Sequence, residues 1–327
     1  MRPPGETITH DCSAPSPWLS VIMPIRCGEE TIDVTMRSLA AECDNGVEIL
    51  VFDSSPTSAT LDFVRKYADC LRLRIIEDHN CTTWPTKTNY GVELANAQHV
   101  CWLHSDDLWL PGRVAAVRSW IEADPGASLH LAPSVIVDRN GRNLGLWRCP
   151  LPDEIELPSS FVTERLLVQN FISAPAPVFR KDAWLACGGI DDALWYTGDW
   201  DIWLKLVARG PVRYHDAVTT AFRIHSSSMT ITGSRDITDF AQQLQIVLDR
   251  HLITLKARSI AVERVSRASI SINTALAAAS AGDYSRLMSA AYDMLRLGPT
   301  GLRRYFRDSR ILERVTSRLR AKLGGAF

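Results

Sequence analysis

The sequence predicts an α/β fold in which a mainly parallel sheet is flanked by helices and followed by a helical C-terminal region. Apolar, β-branched runs over residues 18–24, 47–52 and 71–76 are typical of buried strands. Between these runs, apolar residues recur at helical spacing over 29–41 and 59–68. Strands that alternate with helices in this way form βαβ units, and the ligands of such sheets bind beyond the carboxyl ends of the strands.

The composition is that of a globular protein with little overall charge. The 327 residues include 36 Lys and Arg against 37 Asp and Glu, so no positive field points to nucleic acid as a partner. The eight cysteines form no C-x-x-C pair, and no signal-peptide pattern opens the chain, which favours reduced thiols in the cytoplasm. No apolar run approaches the roughly 20 residues of a membrane-spanning helix. We therefore expect a cytoplasmic protein that reaches a membrane only at its surface.

The chain is organised around a short apolar strand at 101–103 that is soon followed by Asp106 and Asp107. Two adjacent carboxylates repel each other, so a fold that keeps them at the edge of a sheet usually gives them a cation to bind. Mg²⁺ or Mn²⁺ is the expected ion, because it binds through few carboxylates and leaves positions open for phosphate oxygens. The alternative is an Asp-Asp N-cap that begins a helix.

Other candidate ligand-binding residues also lie just past predicted strand ends. Pro24 and Ile25 close the first strand, Asp53 follows the second, and Lys87 and Asn89 precede a helical stretch. Asp53 in an Asp-Ser-Ser-Pro sequence is equally typical of a turn. Lys87 and Asn89 either face a phosphate or are solvated loop residues.

Asp199 stands at a predicted helix start, ahead of apolar residues at core spacing. As a helix N-cap it would feel the macrodipole, which lowers the pKa of a carboxyl group and makes it a poor base. Aromatic neighbours and a partly dry cleft act in the other direction and raise that pKa. The sequence leaves both outcomes open. His225, which follows a β-like run at 217–224, is in the same way either structural or a ligand.

In this order, the motifs resemble the family 2 glycosyltransferases of the GT-A fold over about residues 18–230. The resemblance rests on SVIMP at 20–24, EILVFD at 48–53, Asn89-x-Gly91, LHSDD at 103–107 with Pro111, FRK at 179–181 leading to GGID at 188–191, GDWDIWLKL at 198–206 and RIH at 223–225. The family's fold is a Rossmann-like sheet flanked by helices. The resemblance therefore implies a nucleotide-sugar donor, a divalent metal and a saccharide or lipid-linked saccharide acceptor.

The resemblance also implies a role for each matching residue. Asp53 would hold the nucleotide base, and Asp106 would contact the ribose or the donor sugar. Asp107 would bind the Mn²⁺ or Mg²⁺ on the donor diphosphate, and His225 would help to bind the metal or the diphosphate. Asp199 would be the general base that deprotonates the acceptor hydroxyl, in a single displacement that inverts the anomeric carbon.

Two sets of contacts complete the expected site. Donor contacts are expected from Pro24 and Ile25 at the end of the first strand, and from Lys87 and Asn89 ahead of the helical stretch. Acceptor contacts are expected from Trp195, Gly198 and Trp200, because indole rings stack on sugars, although tryptophans at helical spacing are more often core residues.

We divide the chain into a loose arm at 1–17, a catalytic domain at 18–235 and a helical region at 236–327. Within the domain, residues 18–110 form the nucleotide-binding half and residues 111–235 the acceptor half. The stretch 302–322 contains eight Lys and Arg against two acidic residues, with apolar residues interleaved. It is either a basic amphipathic helix on an anionic membrane surface or a helix packed on the catalytic domain.

Two other functions compete with sugar transfer. A nucleotidyltransferase also uses a βαβ half with metal carboxylates, but it normally has a Gly-rich phosphate loop, which PIRCGE at 24–29 matches poorly. A non-catalytic sugar-binding relative is the other alternative. It is motivated by Arg26-Cys27 and Ser54-Ser55, where the family has other residues. His104 and Gly198 are further departures, at positions where the family often has an acidic residue.

Overall fold

The computed structural model describes residues 6–8, 15–153, 155–226, 228–229, 233, 236–255 and 260–323. The strands in this part are β1 (Glu6–Ile8), β2 (Leu19–Ile25), β3 (Val47–Asp53), β4 (Arg72–Glu77), β5 (His99–Trp102), β6 (Leu108–Trp109), β7 (Leu129–Leu131), β8 (Ser134–Val137), β9 (Asn143–Trp147), β10 (Glu156–Leu157), β11 (Val178–Arg180), β12 (Val212–Tyr214) and β13 (Thr220–Arg223). The helices are α1 (Ile32–Ala41), α2 (Ala59–Arg65), α3 (Trp84–Leu94), α4 (Arg113–Ala123), α5 (Ser159–Val168), α6 (Lys181–Ala186), α7 (Gly198–Val207), α8 (Ile237–Leu252), α9 (Ile260–Ser280), α10 (Leu287–Arg296), α11 (Gly298–Ser309) and α12 (Ile311–Leu323).

The larger sheet has the strand order β1-β4-β3-β2-β5-β11-β7-β12-β10. Its first half matches the predicted parallel sheet, because β2, β3, β4 and β5 are parallel neighbours joined by helices. The second half is mixed, because β11 is antiparallel to both β5 and β7. From the sequence, the prolines at 175 and 177 predict an irregular or edge segment over 171–180. This prediction is wrong at Val178–Arg180, which is a central strand of the sheet. The prolines at 175 and 177 precede this strand, so its own N–H groups remain free to pair.

From the sequence, the stretch 129–137 predicts a single strand. The structure instead has two strands there, in different sheets. β7 belongs to the nine-stranded sheet, whereas β8 belongs to a four-stranded sheet of order β6-β13-β8-β9. Pro133 lies between them and has no N–H to continue the ladder. In the smaller sheet, β13 is antiparallel to β6, which brings Arg223 next to the Asp106–Asp107 pair.

Aromatic residues anchor the strand that leads to this pair. The Trp102 ring on β5 stacks on Trp203 of α7 with centroids 4.6 Å apart, and Trp184 and Phe179 pack around it. All four side chains are almost completely buried. β5 and α7 meet in one core. His104, just after β5, and Asp199, at the start of α7, therefore have fixed relative positions.

The N-terminal segment was expected to be a loose arm over 1–17, and this is wrong at Glu6–Ile8. These residues form β1, which pairs antiparallel with β4 at the edge of the larger sheet. The carboxylate of Glu6 forms a 2.8 Å ion pair with Arg74, and both side chains are mostly buried. Residues 1–5 and 9–14 lie outside the described residues.

The C-terminal helices pack on the domain in two places. α9 packs against α5, α8 and α10, while α12 packs on β9 of the smaller sheet. Gly145 of β9 has φ 149°, and a Cβ there would lie 2.6 Å from Ser317 Oγ of α12. Only glycine allows the helix to approach the strand this closely. Within the described residues, no helix has the length and apolar character to cross a bilayer.

Candidate active site

A cleft of about 710 Å³ opens between the carboxyl ends of the central strands, the smaller sheet and the C-terminal helices. It is lined by Pro24 at the end of β2, by the segment after β5, and by residues of α7 and β13. Asp106, Asp107, Asp199 and His225 all line it. Four polar residues drawn from three distant parts of the chain therefore share one cleft.

Asp107 is held by the backbone of a neighbouring strand. Its Oδ1 accepts the N–H of Arg223 at 3.0 Å, and the Arg223 side chain is itself held by the carbonyls of Asp106, Asp138 and Arg139. Asp107 is followed by β6 and not by a helix, which rules out the N-cap interpretation of the Asp pair. Burial raises the pKa of Asp107 to about 6.

The second oxygen of Asp107 has no hydrogen-bond partner among the described residues. Nδ1 of His104 lies 3.8 Å from this oxygen. A buried carboxylate oxygen without a partner costs free energy unless it gains a positive ligand. No group of three His, Cys, Asp or Glu side chains in the described ranges is placed to hold a metal. The arrangement fits Mg²⁺ or Mn²⁺, which is commonly bound by one or two carboxylates plus phosphate oxygens.

Asp106 and His225 form a pair beside this carboxylate. Asp106 Oδ2 lies 3.0 Å from His225 Nε2, and both side chains are partly exposed to the cleft. Burial alone would raise the pKa of Asp106, but the hydrogen bond to His225 and the charge of His104 bring it below its usual range. Asp106 is therefore a stable anion at neutral pH.

Asp199 lies in the first turn of α7, after the N-cap Thr197. Its Oδ1 accepts the N–H of Trp200 at 2.7 Å, and its Oδ2 accepts the side-chain amide of Asn170 at 3.0 Å. Burial outweighs both hydrogen bonds and raises the pKa of Asp199 to about 6. The sequence left open whether the helix macrodipole would lower the pKa of Asp199 or desolvation would raise it. In the structure, desolvation has the larger effect.

Four of the expected donor residues lie behind the cleft and do not line it. Ile25 is a core residue, and its carbonyl accepts the Nζ of buried Lys87 at 2.5 Å. Asp53 is buried, with Oδ1 accepting both the N–H and the hydroxyl of Ser55. Burial lowers the pKa of Lys87 to about 8. Lys87 is therefore neither a solvated loop residue nor a cleft residue.

Asn89 also has a structural contact in place of a ligand. Its Nδ2 donates to the carbonyl of Ile190, and its Oδ1 accepts the N–H of the same residue, both at 2.8 Å. The side chain thus forms hydrogen bonds with both the N–H and the carbonyl of Ile190, as a residue of a neighbouring strand would. It ties α3 to the turn that precedes α7.

Of the three expected acceptor residues, only Trp200 lines the cleft. It is 3% exposed, and its Nε1 donates to the Leu166 carbonyl at 2.8 Å, so its ring is mainly a core group. Trp195 donates to Asp239 instead. Gly198 leaves no room for a side chain, because a Cβ there would lie 2.7 Å from Cγ2 of Ile190.

Several cleft residues were not predicted to take part in the site. Asn170 orients Asp199, and Trp84 packs edge-on against His104 at 5.8 Å. Arg314 and Arg318 of α12 reach the cleft from the C-terminal region. None of them belongs to a sequence motif of the site. The i, i+4 spacing of the two arginines on a basic helix did, however, indicate that they share one face.

The strand order and a cleft at the carboxyl ends of the central strands are typical of the GT-A fold. Residues 20–170 match the family model Glycosyl transferase family 2. The chain is similar to the Escherichia coli protein UDP-Glc:alpha-D-GlcNAc-diphosphoundecaprenol beta-1,3-glucosyltransferase WfaP, with 21% identity over 67% of this chain and 82% of that protein. The aligned region spans 37% of the length of some curated relatives and 70% of others.

Solved structures show the same fold. S. aureus TarS 1–349 in complex with UDP-GlcNAc gives a TM-score of 0.54 at 17% identity, over 86% of this chain and 92% of that chain. The mannosyltransferase PcManGT from Pyrobaculum calidifontis, in complex with GDP-Man and Mn²⁺, gives a TM-score of 0.51 at 15% identity, over 93% and 87% of the two chains. The predicted GT-A fold is thus confirmed.

Proposed function

We propose that this protein is an inverting glycosyltransferase that moves a sugar from a nucleotide-sugar donor to a hydroxyl of a saccharide acceptor. The observation that supports it is the shared cleft of Asp107 and Asp199, which stand 92 positions apart in the sequence. The donor diphosphate lies at the Asp106–Asp107 end of this cleft. The acceptor lies at the Asp199 end.

The residues of the chain divide the work of a single displacement. Asp107, whose Oδ2 accepts no hydrogen bond from the described residues, would hold a divalent cation, and His225 keeps the neighbouring Asp106 in its charged form. A cation bound there supplies positive charge to the leaving nucleoside diphosphate. Asp199 accepts the proton of the acceptor hydroxyl, whose oxygen bonds to the anomeric carbon as the bond from that carbon to the phosphate oxygen breaks. The pKa of about 6 suits this role, because the group is ionised at neutral pH and still basic.

The acceptor that we propose is a lipid-linked saccharide. The name of the similar E. coli protein gives a saccharide on a diphosphate lipid as its acceptor. Contact with a membrane surface would bring the protein to such an acceptor. The solved neighbours hold a UDP-sugar and a GDP-sugar, and both nucleotides are candidates here.

For the membrane contact we propose α10 and not the final basic helix, because α12 is packed on β9. Met288, Tyr292 and Leu295 recur at i, i+4 and i+7 on α10 and are 81%, 60% and 75% exposed. Exposed Arg286 and Arg296 flank this apolar face, as in helices that lie on anionic lipid surfaces. Sedimentation with phosphatidylglycerol vesicles, compared with phosphatidylcholine vesicles, tests the contact. Met288→Ser should abolish it.

The decisive experiment is a panel of UDP- and GDP-sugars in a thermal-shift assay with and without Mn²⁺, followed by hydrolysis or transfer assays with the sugars that bind. A ligand that binds only the folded state raises the melting temperature. Asp107→Asn should remove the Mn²⁺-dependent shift, while exposed Asp192→Asn should keep it. Pyrophosphate release from a nucleoside triphosphate would instead indicate a nucleotidyltransferase. Binding without any hydrolysis or transfer would indicate a sugar-binding protein.

A further inference from the structure

The wall of the cleft contains two arginines from the last helix of the chain. Arg314 and Arg318, one turn apart on α12, both line the cleft. They lie far beyond the segment 20–170 that matches the family. Two positive charges at i and i+4 repel each other, so this arrangement costs free energy unless something negative lies between them.

Three other arginines of this region are paired with carboxylates. Their ion pairs are Arg304–Glu164, Arg307–Asp308 and Arg310–Glu313. In contrast, the structure gives Arg314 one weak contact, 3.4 Å from its Nη1 to Asn273 Oδ1. Among the described residues, neither Arg314 nor Arg318 forms an ion pair with a carboxylate. Burial lowers the pKa of Arg314 to about 10, so the group remains charged at neutral pH.

The two arginines lie at the Asp199 end of the cleft. Burial raises the pKa of Tyr196, and the charges of Arg318 and Arg314 act against that rise while the charge of Asp199 adds to it. These four residues are therefore electrostatic neighbours. The neighbours of Asp106 and Asp107 are instead His104, His225 and Arg223. Tyr196 therefore links the two arginines electrostatically to the Asp199 end of the cleft.

Close packing holds the arginine pair in place. Gly145 lets α12 approach β9 beside Ser317, which lies between the two arginines in sequence. Arg320 Nη1 donates to the Leu144 carbonyl at 2.9 Å and fixes the helix along the same strand. A preorganised pair of guanidinium groups is suited to bidentate binding of phosphate oxygens.

We propose that Arg314 and Arg318 form a binding site for the phosphate or diphosphate group of the acceptor. This inference rests on the proposed function, and it assigns the acceptor a negatively charged group close to the sugar that is glycosylated. The C-terminal helical region then supplies part of the acceptor site. An acceptor with a phosphate bound there presents its hydroxyl to Asp199.

The test measures anion binding without the metal that the donor end requires. Inorganic pyrophosphate and geranyl diphosphate are titrated calorimetrically into the full chain at low ionic strength with EDTA, using wild type, Arg314→Gln, Arg318→Gln, the double variant and Arg142→Gln. Arg142 is an exposed residue outside the cleft and is the matched control. We expect each cleft substitution to weaken pyrophosphate binding about 10- to 100-fold, since hydrogen bonds between charged groups are lost. The Arg→Lys variants, which keep the charge, should retain part of the affinity.

A parallel titration of UDP and GDP with Mn²⁺ separates this site from the donor site. Nucleotide binding retained in the double variant, with pyrophosphate binding lost, supports an acceptor site. Equal loss of nucleotide binding overturns it, because the arginines would then hold the donor. Pyrophosphate binding that is no tighter in wild type than in the double variant also overturns it. Tighter binding of geranyl diphosphate than of pyrophosphate assigns the phosphate to a lipid-linked source. If wild type binds neither nucleotide, the proposed function fails independently of the arginine result.

Discussion

Replacement of Asp199 by Asn should make the protein more stable and nearly inactive. The buried carboxyl group has a pKa of about 6 in the folded chain against an ordinary value of 3.8. The folded state therefore disfavours the charged form by about 2 pKa units, which corresponds to at most ~3 kcal/mol at neutral pH. The amide has no charge to bury, but the hydrogen bond from Asn170 must rearrange. We expect a net stabilisation of about 1–3 kcal/mol.

The sign of this effect depends on pH. A carboxyl group whose folded pKa is raised binds a proton more tightly when folded, so its penalty is complete above about pH 6 and disappears as the pH falls towards about 4. The stability difference between variant and wild type should therefore grow with pH across this range. Turnover of the wild type should rise with pH below about 6 and level off above it, because the base must be ionised.

Urea unfolding of wild type and Asp199→Asn at several pH values measures the first effect, and donor-dependent transfer measures the second. Loss of a general base should lower kcat by about 10²- to 10⁴-fold. Asp201→Asn is the matched control in the same helix. Although burial alone would raise the pKa of Asp201, its contacts with His251 and Lys205 lower it to about 2, so that substitution should destabilise the fold. Undiminished turnover, or a stability difference that does not change with pH, would refute the assignment of Asp199.

Three further substitutions test how the cleft is built. Gly198→Ala should destabilise the fold by about 1–3 kcal/mol and lower kcat, because the new methyl group would displace the start of α7 from Ile190. Urea unfolding measures the change in stability, and transfer kinetics measure the change in kcat. Gly145→Ala should separate α12 from β9 at Ser317 and weaken pyrophosphate binding in EDTA, whereas an unchanged pyrophosphate affinity would show that the helix tolerates the shift. Asn89→Ala should lower the free energy of unfolding by about 1–3 kcal/mol, because two hydrogen bonds to Ile190 are lost, and should leave the KM for the donor unchanged. A raised donor KM with normal stability would instead indicate that Asn89 contacts the donor.

Local patterns in the sequence were enough to predict the α/β class and the residues that stand at strand ends. Periodicity locates β2, β3 and β4, because a buried strand and an amphipathic helix each leave a local apolar pattern. The same reading selected Asp107, Asp199 and His225, which line one cleft. It misplaced β11 as an edge segment, since a three-residue central strand after two prolines has no local pattern of its own.

The tertiary structure decided everything that depends on long-range neighbours. Whether Asp199 is a capping anion or a group of raised pKa follows from the burial that surrounds it, and burial is a property of the packed cleft. Lys87 and Asn89 are structural because Ile25 and Ile190, distant in sequence, receive their hydrogen bonds. Arg314 shares the cleft with Asp199 because α12 folds back on β9. Local pattern fixes where a strand ends, but only packing fixes which groups meet there and how much water remains between them.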